Sequence, residues 1–259
     1  MPTLRAHGAD LDFDITGDSG PLVVQLHGLT SSRTRDAQLG LDLGRALRGH
    51  RILRYDARAH GRSTGTTNPD DYGWSALAKD LLALLDHVAP GERVHGIGPS
   101  MGTGTLLHAA TRDPHRFASL TLVTPPTAWK TRRAQGDLYR SNAAAVARGG
   151  LAALDQVGST APVPPALADA PETRVSVAED LLPIVLRGAG ATDLPRKKKI
   201  KAITAPTLIL AWTGDRTHPL KTARTLRELL PDSRLVVARS PYGIMAWPGL
   251  FAEHVTTLR

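Results

Sequence analysis

The sequence predicts an α/β protein with a mostly parallel sheet that carries helices on both faces. Strand-like apolar runs alternate with helical segments from residue 21 to residue 123, and the strand pattern resumes at residue 206. A glycine-rich turn, Gly98-Pro99-Ser100-Met101-Gly102, joins one such strand to the helix that follows it. Alternation of this kind is typical of βαβ units, whose strands run parallel.

The predicted elements begin with a hairpin at the sheet edge, in which two short strands flank a turn over residues 7–10. The helix over 72–88 places Leu77, Leu81 and Leu85 on one face, which is the spacing of a helix that faces a core. The predicted strands cover residues 3–6, 11–15, 21–26, 51–55, 93–97, 118–123, 206–212 and 233–238, and the predicted helices cover about 34–48, 72–88 and 101–112.

Ser100 lies on the turn between a strand and a helix. A residue on such a sharp turn has strained backbone dihedrals, and glycines two before and two after it leave room for the bend. The turn lifts the serine hydroxyl clear of the sheet. It also places the Met101 N–H at a helix N-terminus, where it can stabilise an oxyanion. We therefore predict that Ser100 is a nucleophile; a chance match in a loop is the alternative.

Three further motifs follow the ends of other predicted strands. The strand over 21–26 ends in His27-Gly28-Leu29-Thr30, a loop that could aim the Leu29 N–H at the same oxyanion site. Residues 56–63, Asp-Ala-Arg-Ala-His-Gly-Arg-Ser, follow the strand over 51–55. Residues 213–219, Thr-Gly-Asp-Arg-Thr-His-Pro, follow the strand over 206–212.

The four motifs, in this order and at this spacing, resemble those of the α/β-hydrolase superfamily. The resemblance covers nearly the whole chain and implies a mostly parallel, eight-stranded type of sheet. It also implies Ser100 as the nucleophile, Leu29 and Met101 as oxyanion donors, and Asp215 as the acid of a catalytic triad. In this family a helical cap is inserted where the strand alternation stops here. We therefore assign residues 1–125 and 202–259 to the core, and 126–201 to a cap.

One part that the resemblance implies is missing, the histidine of the catalytic triad. In this family that histidine follows the last strand of the sheet. Residues 239–248 contain no histidine, and the expected position falls on or beside Gly243. A serine hydroxyl needs an adjacent base, and loss of a triad member leaves only on the order of 10³–10⁴-fold catalysis over water. His218 is the best replacement base in sequence terms; the alternative is a residue that caps a helix or supports the site, since His-Pro is also typical of a helix start. If the protein is hydrolytic, we predict His218 rather than His254 as the base.

Two functions stay open. The first is a serine-dependent hydrolase or acyl-transfer enzyme that acts on a carboxylic ester or thioester. The alternative is a catalytically weak or non-hydrolytic protein that uses the same pocket for binding, isomerisation or cyclisation. The predicted pocket residues are His27, Trp129, Trp212 and Tyr242, although core packing accounts for such aromatic residues equally well.

Composition narrows the chemistry. The absence of cysteine excludes disulfides and thiolate catalysis. No cluster has metal-ligand spacing and no phosphate loop is present, so we expect neither a metal nor another cofactor. The net charge is +8, but the dense run over 196–201 is interpreted as a solvated helix or linker rather than a basic patch. We expect a soluble cytoplasmic protein that binds a small acyl substrate and neither nucleic acid nor membrane; its oligomeric state is open.

Overall fold

The structure, a computed structural model, describes residues 2–158 and 163–257, with residues 154–158 described by their backbone alone. Its strands form one eight-stranded sheet in the order β1-β2-β4-β3-β5-β6-β7-β8. The strands are β1 Thr3–Ala6, β2 Ala9–Thr16, β3 Leu22–Gln25, β4 Arg51–Tyr55, β5 Val94–Pro99, β6 Phe117–Val123, β7 Thr207–Trp212 and β8 Ser233–Ala238. β2 pairs in an antiparallel manner with β1 and with β4, and β3 to β8 pair in parallel with one another. The predicted mostly parallel sheet is therefore confirmed.

Helices cover the sheet and fill the connections between strands. The α-helices are α1 Arg33–Gln38, α2 Trp74–Val88, α3 Met101–Arg112, α4 Arg132–Gly158, α5 Leu182–Gly190, α6 Lys197–Ile200, α7 Leu220–Leu229, α8 Pro241–Met245 and α9 Trp247–Thr256. Short 3₁₀ helices lie at Leu43–Ala46, Pro69–Tyr72, Trp129–Thr131 and Pro165–Leu167. Within the described ranges, none of these helices has both the length and the apolar character needed to cross a bilayer.

Strand β7 shows how the two faces of the sheet are buried. Its residues are all buried, and successive side chains enter different apolar clusters. Ile209 packs in the cluster that contains Leu81 of α2, whereas Leu208 packs in the cluster that contains Phe251 of α9. Because side chains alternate along a strand, this pattern requires helices on both faces.

Most predicted boundaries agree with the structure, and one helix does not. The segment predicted as a helix over 34–48 is wrong, because α1 ends at Gln38 and a separate 3₁₀ helix begins at Leu43. Gly40 adopts φ +71°, a left-handed conformation that ends a helix. The hairpin turn is also tighter than predicted, since β2 begins at Ala9.

The segment between β6 and β7 is helical, as the sequence predicts. It contains α4, α5 and α6, and α4 is kinked at Gly150, whose φ is +66°. Val146 of α4 and Val185 of α5 pack in a separate apolar cluster. This cluster also contains Tyr72, from the 3₁₀ helix that precedes α2. Its assignment as a distinct cap over 126–201 stays a prediction.

Candidate active site

Ser100 lies at the carboxyl end of β5, between that strand and α3. Its backbone has φ 50° and ψ −106°, and its N–H donates to the Val123 carbonyl at 2.9 Å. A positive φ in a non-glycine residue is strained and persists only when the surrounding structure imposes it. The strand–turn–helix context predicted for Ser100 is thus present.

Of the two glycines that flank Ser100, Gly98 has no room for a side chain and Gly102 has little. A Cβ on Gly98 would lie 2.7 Å from the Gly102 carbonyl carbon. A Cβ on Gly102 would lie 3.0 Å from the Leu26 Cβ and 3.2 Å from the His27 carbonyl oxygen. Since strand, turn and helix approach this closely, the bend at Ser100 requires glycine at position 98 and favours it at position 102.

His218 connects Ser100 to Asp215 through its two ring nitrogens. His218 Nε2 lies 2.8 Å from Ser100 Oγ, and His218 Nδ1 lies 2.7 Å from Asp215 Oδ2. A neutral imidazole that donates from Nδ1 to the carboxylate leaves Nε2 free to accept the serine proton. The structure therefore brings together the three side chains predicted as nucleophile, base and acid.

Four donors surround the Asp215 carboxylate. Oδ2 accepts from Trp212 Nε1 at 2.8 Å as well as from His218, and Oδ1 accepts from the backbone N–H groups of Thr217 at 2.8 Å and His218 at 3.1 Å. Burial acts to raise the pKa of Asp215. The hydrogen bonds and charge of His218 and the Trp212 indole N–H outweigh it and hold that pKa well below its usual range. Asp215 is thus a fixed anion.

The position expected for the family's histidine lies in a helix. The residues that follow β8 form α8, Pro241–Met245, and Gly243 lies inside it. A Cβ on Gly243 would lie 2.8 Å from the Ala238 Cβ and 2.9 Å from its Cα. Distances below about 3.0 Å are not seen for real Cβ atoms, so this position accepts no side chain without rearrangement.

The loop after β3 lies against Ser100. A Cβ on Gly28 would be 3.9 Å from the Ser100 Cβ, and Leu29 faces the same cavity as Ser100. Met101 is the first residue of α3. Among the described residues, neither the Leu29 nor the Met101 backbone N–H donates a hydrogen bond to another protein group. Both predicted oxyanion donors are therefore available to a ligand.

Two buried histidines hold this loop in place. His27 Nδ1 donates to the Gly28 carbonyl, and its Nε2 accepts from the Ala57 N–H. His60 Nε2 accepts from the Thr30 N–H at 3.3 Å. Burial lowers the pKa of His27 to about 4, and burial together with the neighbouring His27 lowers that of His60 to about 3. Both rings are neutral braces for the loop.

A cavity of about 330 Å³ opens beside Ser100. Of the predicted pocket residues, only Trp212 belongs to its wall as the described residues define it. His27 is buried in its bracing role, and Trp129 turns its indole N–H to the Pro195 carbonyl. Tyr242 is 81% exposed. The prediction that these three line the pocket is therefore wrong for this cavity.

Sequence reasoning missed the part of the cavity wall that α1 and the residues on either side of it form. These residues directly follow the loop that carries Leu29. Their position in the chain, next to a loop predicted to lie at the site, was the signal that could have found them. This wall consists of Ser31, Arg35, Asp36, Leu39 and Leu41, and Pro164 and Leu167 from the helical insertion complete it. The described residues contain no group of three or more metal-ligating side chains placed to hold an ion.

Comparisons with known proteins agree on the fold. The sequence matches the family model of the alpha/beta hydrolase fold over residues 21–161. It is 29% identical over 204 residues, 72% of each chain, to a protein of Variovorax paradoxus named Putative carbamate hydrolase RutD. The structure resembles a thermophilic esterase from Thermogutta terrifontis, with a TM-score of 0.78, 20% identity, and coverage of 99% of this chain and 97% of the other.

A second solved structure, the enol-lactonase from Burkholderia xenovorans LB400, gives a TM-score of 0.78 at 23% identity and covers 99% of both chains. At such identities the structural likeness establishes the fold alone. The family model matches more than half of the sequence. Together with the sheet order and the turn at Ser100, these findings show that the chain belongs to the α/β-hydrolase family.

Proposed function

We propose that this protein is a serine-dependent hydrolase that cleaves a carboxylic ester or thioester of a small to medium acyl group. The observation that carries the proposal is the contact of 2.8 Å between Ser100 Oγ and His218 Nε2, with Asp215 on the other ring nitrogen. Family membership and relatives named as a carbamate hydrolase, an esterase and an enol-lactonase support hydrolysis as the reaction class.

In the proposed first step, Ser100 Oγ attacks the carbonyl carbon of the substrate while His218 Nε2 takes the hydroxyl proton. The carbonyl oxygen becomes an oxyanion that accepts hydrogen bonds from the Leu29 and Met101 N–H groups. Asp215 keeps Nδ1 protonated and stabilises the imidazolium that forms. The tetrahedral intermediate then collapses, and His218 gives its proton to the departing alcohol or thiol.

The second step reverses these roles with water. His218 removes a proton from a water molecule, whose oxygen attacks the acyl-enzyme carbonyl. The same two N–H groups hold the second oxyanion. Collapse releases the carboxylic acid and returns the proton to Ser100 Oγ. Every proton transfer in this cycle passes through His218, which is why its position decides whether the protein is a catalyst.

A fluorophosphonate probe tests the proposal, because it reacts covalently only with an activated serine. We expect stoichiometric labelling at Ser100 in the wild-type chain, none in Ser100→Ala, and much slower labelling in His218→Ala. Hydrolysis of p-nitrophenyl esters and of acyl thioesters by the same three proteins would then identify the substrate class. Folded wild-type protein that is not labelled would overturn the proposal and favour a binding or isomerising protein.

A further inference from the structure

Thr124 lines the cavity beside Ser100, and the proposed reaction cycle does not use its side chain. It is the first residue after β6, which ends at Val123. Only 2% of Thr124 is exposed, and it belongs to the wall of the cavity that Ser100 and His218 share. The small exposed part of this residue therefore faces the cavity.

The Thr124 hydroxyl has no hydrogen-bond partner among the described residues. The Thr121 hydroxyl on the same strand also lacks a partner there, but that oxygen is fully enclosed. Thr124 Oγ1 is not one of the enclosed atoms, so it is open to the cavity. A hydroxyl in this position can donate to, or accept from, a small molecule such as water.

The backbone of Thr124 is strained. Its φ is 43°, in the left-handed region that a β-branched residue rarely adopts. The Thr124 N–H donates to the Leu210 carbonyl of β7 at 2.6 Å, which ties this turn to the neighbouring strand. Such strain persists only where the surrounding structure imposes it, and it is frequent at functional sites. Because a β-branched side chain is also stiff about χ1, the hydroxyl has a well-defined position.

The sheet order places Thr124 between the nucleophile and the base. Ser100 follows β5, Thr124 follows β6 and His218 lies after β7, and these three strands are neighbours in that order. The Ser100 N–H donates to the carbonyl of Val123, and neighbouring strands lie about 4.8 Å apart. The loop of Leu29 follows β3, which pairs with the other side of β5. Thr124 therefore lies on the His218 side of Ser100, away from Leu29.

The water that hydrolyses the acyl-enzyme must approach from this same side. His218 Nε2 takes a proton from it, while the carbonyl oxygen points to the oxyanion donors. One O–H of this water is thus directed at His218, and one lone pair must be directed at the acyl carbon. A fixed acceptor for the second O–H would hold the water in that orientation, and orientation of this kind accelerates a reaction.

We propose that Thr124 is a catalytic residue that positions the hydrolytic water, with its Oγ1 accepting one O–H of that water while His218 Nε2 accepts the other. The inference rests on the proposed function and deepens it. The water oxygen bonds to the acyl carbon, and its first proton passes through His218 to Ser100 Oγ as the bond from Ser100 Oγ to that carbon breaks. Its second hydrogen stays in the carboxylic acid product, so Thr124 transfers no proton.

Thr124→Val removes the hydroxyl and keeps a β-branched side chain in the same turn. With a saturating p-nitrophenyl ester, rapid quenching and intact mass spectrometry give the fraction of enzyme that is acylated at steady state. Dividing kcat by this fraction gives the deacylation rate constant, and dividing kcat by the unacylated fraction gives the acylation rate constant. We expect deacylation to slow by about five- to tenfold in Thr124→Val, with acylation unchanged, because p-nitrophenolate leaves without the water.

Thr124→Ser keeps the hydroxyl and should retain the wild-type deacylation rate constant. Thr121→Val makes the same substitution at the enclosed hydroxyl of the same strand and should change neither constant. If Thr124→Val does not fold, Thr124→Ala removes the same hydroxyl and has the same expected result. A purely structural effect would lower acylation and deacylation together. That result, or a wild-type deacylation rate constant without the hydroxyl, would overturn the inference.

The wild-type protein separates this inference from the proposed function. If it forms no acyl-enzyme with any ester or thioester and is not labelled by the fluorophosphonate, the proposed function fails, and the role of Thr124 in hydrolysis fails with it. If the wild-type acyl-enzyme forms and is hydrolysed, the proposed function stands. The deacylation rate constants of Thr124→Val and Thr124→Ser then decide the role of Thr124 alone.

Discussion

His218 Nε2 lies 2.8 Å from the Ser100 hydroxyl although His218 stands only three residues after Asp215 on the same loop. One loop, between β7 and α7, thus carries both the proposed base and the proposed acid. The backbone N–H of His218 also donates to Asp215 Oδ1, so a compact turn fixes the carboxylate and the ring together. The segment after β8, which contains α8, therefore need not supply a histidine.

Replacing His218 by Ala removes the proposed base. We expect kcat for a p-nitrophenyl ester to fall by on the order of 10²-fold or more, because proton transfer by a positioned side chain contributes that much. The Ser100→Ala/His218→Ala protein should be no less active than Ser100→Ala, since residues that act as a unit are not additive. His254→Ala, a histidine of α9, is the control and should retain its kcat. Equal losses in both histidine variants would contradict the assignment.

Gly243 gives a test of why the family's usual position is not used. A Cβ there meets Ala238 at 2.8 Å, so Gly243→Ala should destabilise the fold by about 1–3 kcal/mol in urea unfolding. We expect Gly243→His to restore no activity to His218→Ala, because α8 leaves no space for the ring. Recovery of esterase activity in that double variant would show that the position can still host a base.

The sequence predicted most strands and helices of the sheet-forming part at or near their observed bounds. β4, α3 and β8 lie at the predicted residues, because each is a continuous apolar or helical run bounded by clear turn residues. The helix over 34–48 failed since helical composition continues through Gly40, whose left-handed φ becomes evident only in the fold.

Some features of the candidate site can be predicted from the sequence, and others are visible only in the fold. Ser100 and Met101 follow from local turn chemistry, which a sequence displays directly. The contact between His218 and Ser100 depends on the curvature of a loop 118 residues away along the chain, and spacing alone gives no such distance. Asp36 was missed because its buried place in the cavity wall results from tertiary packing, which its position after the Leu29 loop does not reveal.

His60 predicts a measurable dependence of stability on pH. Burial and the neighbouring His27 lower its pKa from the usual 6.5 to about 3 in the native state. As the pH falls below 6.5, the unfolded chain binds a proton that the native chain does not, so the free energy of unfolding decreases. Between pH 7 and pH 5 this residue should account for about 2 kcal/mol of the loss.

His60→Gln should therefore reduce the difference in free energy of unfolding between pH 7 and pH 5 by that amount, whatever it does to the stability itself. The exposed His115→Gln serves as the control and should leave the difference unchanged. Asp36, whose pKa is raised, contributes the opposite slope, but it does so equally in the wild-type protein and in both variants. The same pH dependence in His60→Gln and wild type would show that His60 is not a neutral buried ring.

Trp212→Phe should lower kcat without removing any group that takes part in proton transfer. The substitution deletes the Nε1 donor that lies 2.8 Å from Asp215 Oδ2 and keeps an aromatic ring beside Trp247. A hydrogen bond to a charged group contributes about 1.5–3 kcal/mol, so we expect kcat to fall at least about tenfold with KM nearly unchanged.

Trp129→Phe is the control. It also loses an indole N–H, which bonds to the Pro195 carbonyl outside the cavity wall, and it should retain its kcat. Steady-state kinetics of Trp212→Phe and Trp129→Phe on one ester test this role. Similar kcat values in the two variants would mean that the Trp212 indole N–H does not hold Asp215 in its catalytic position.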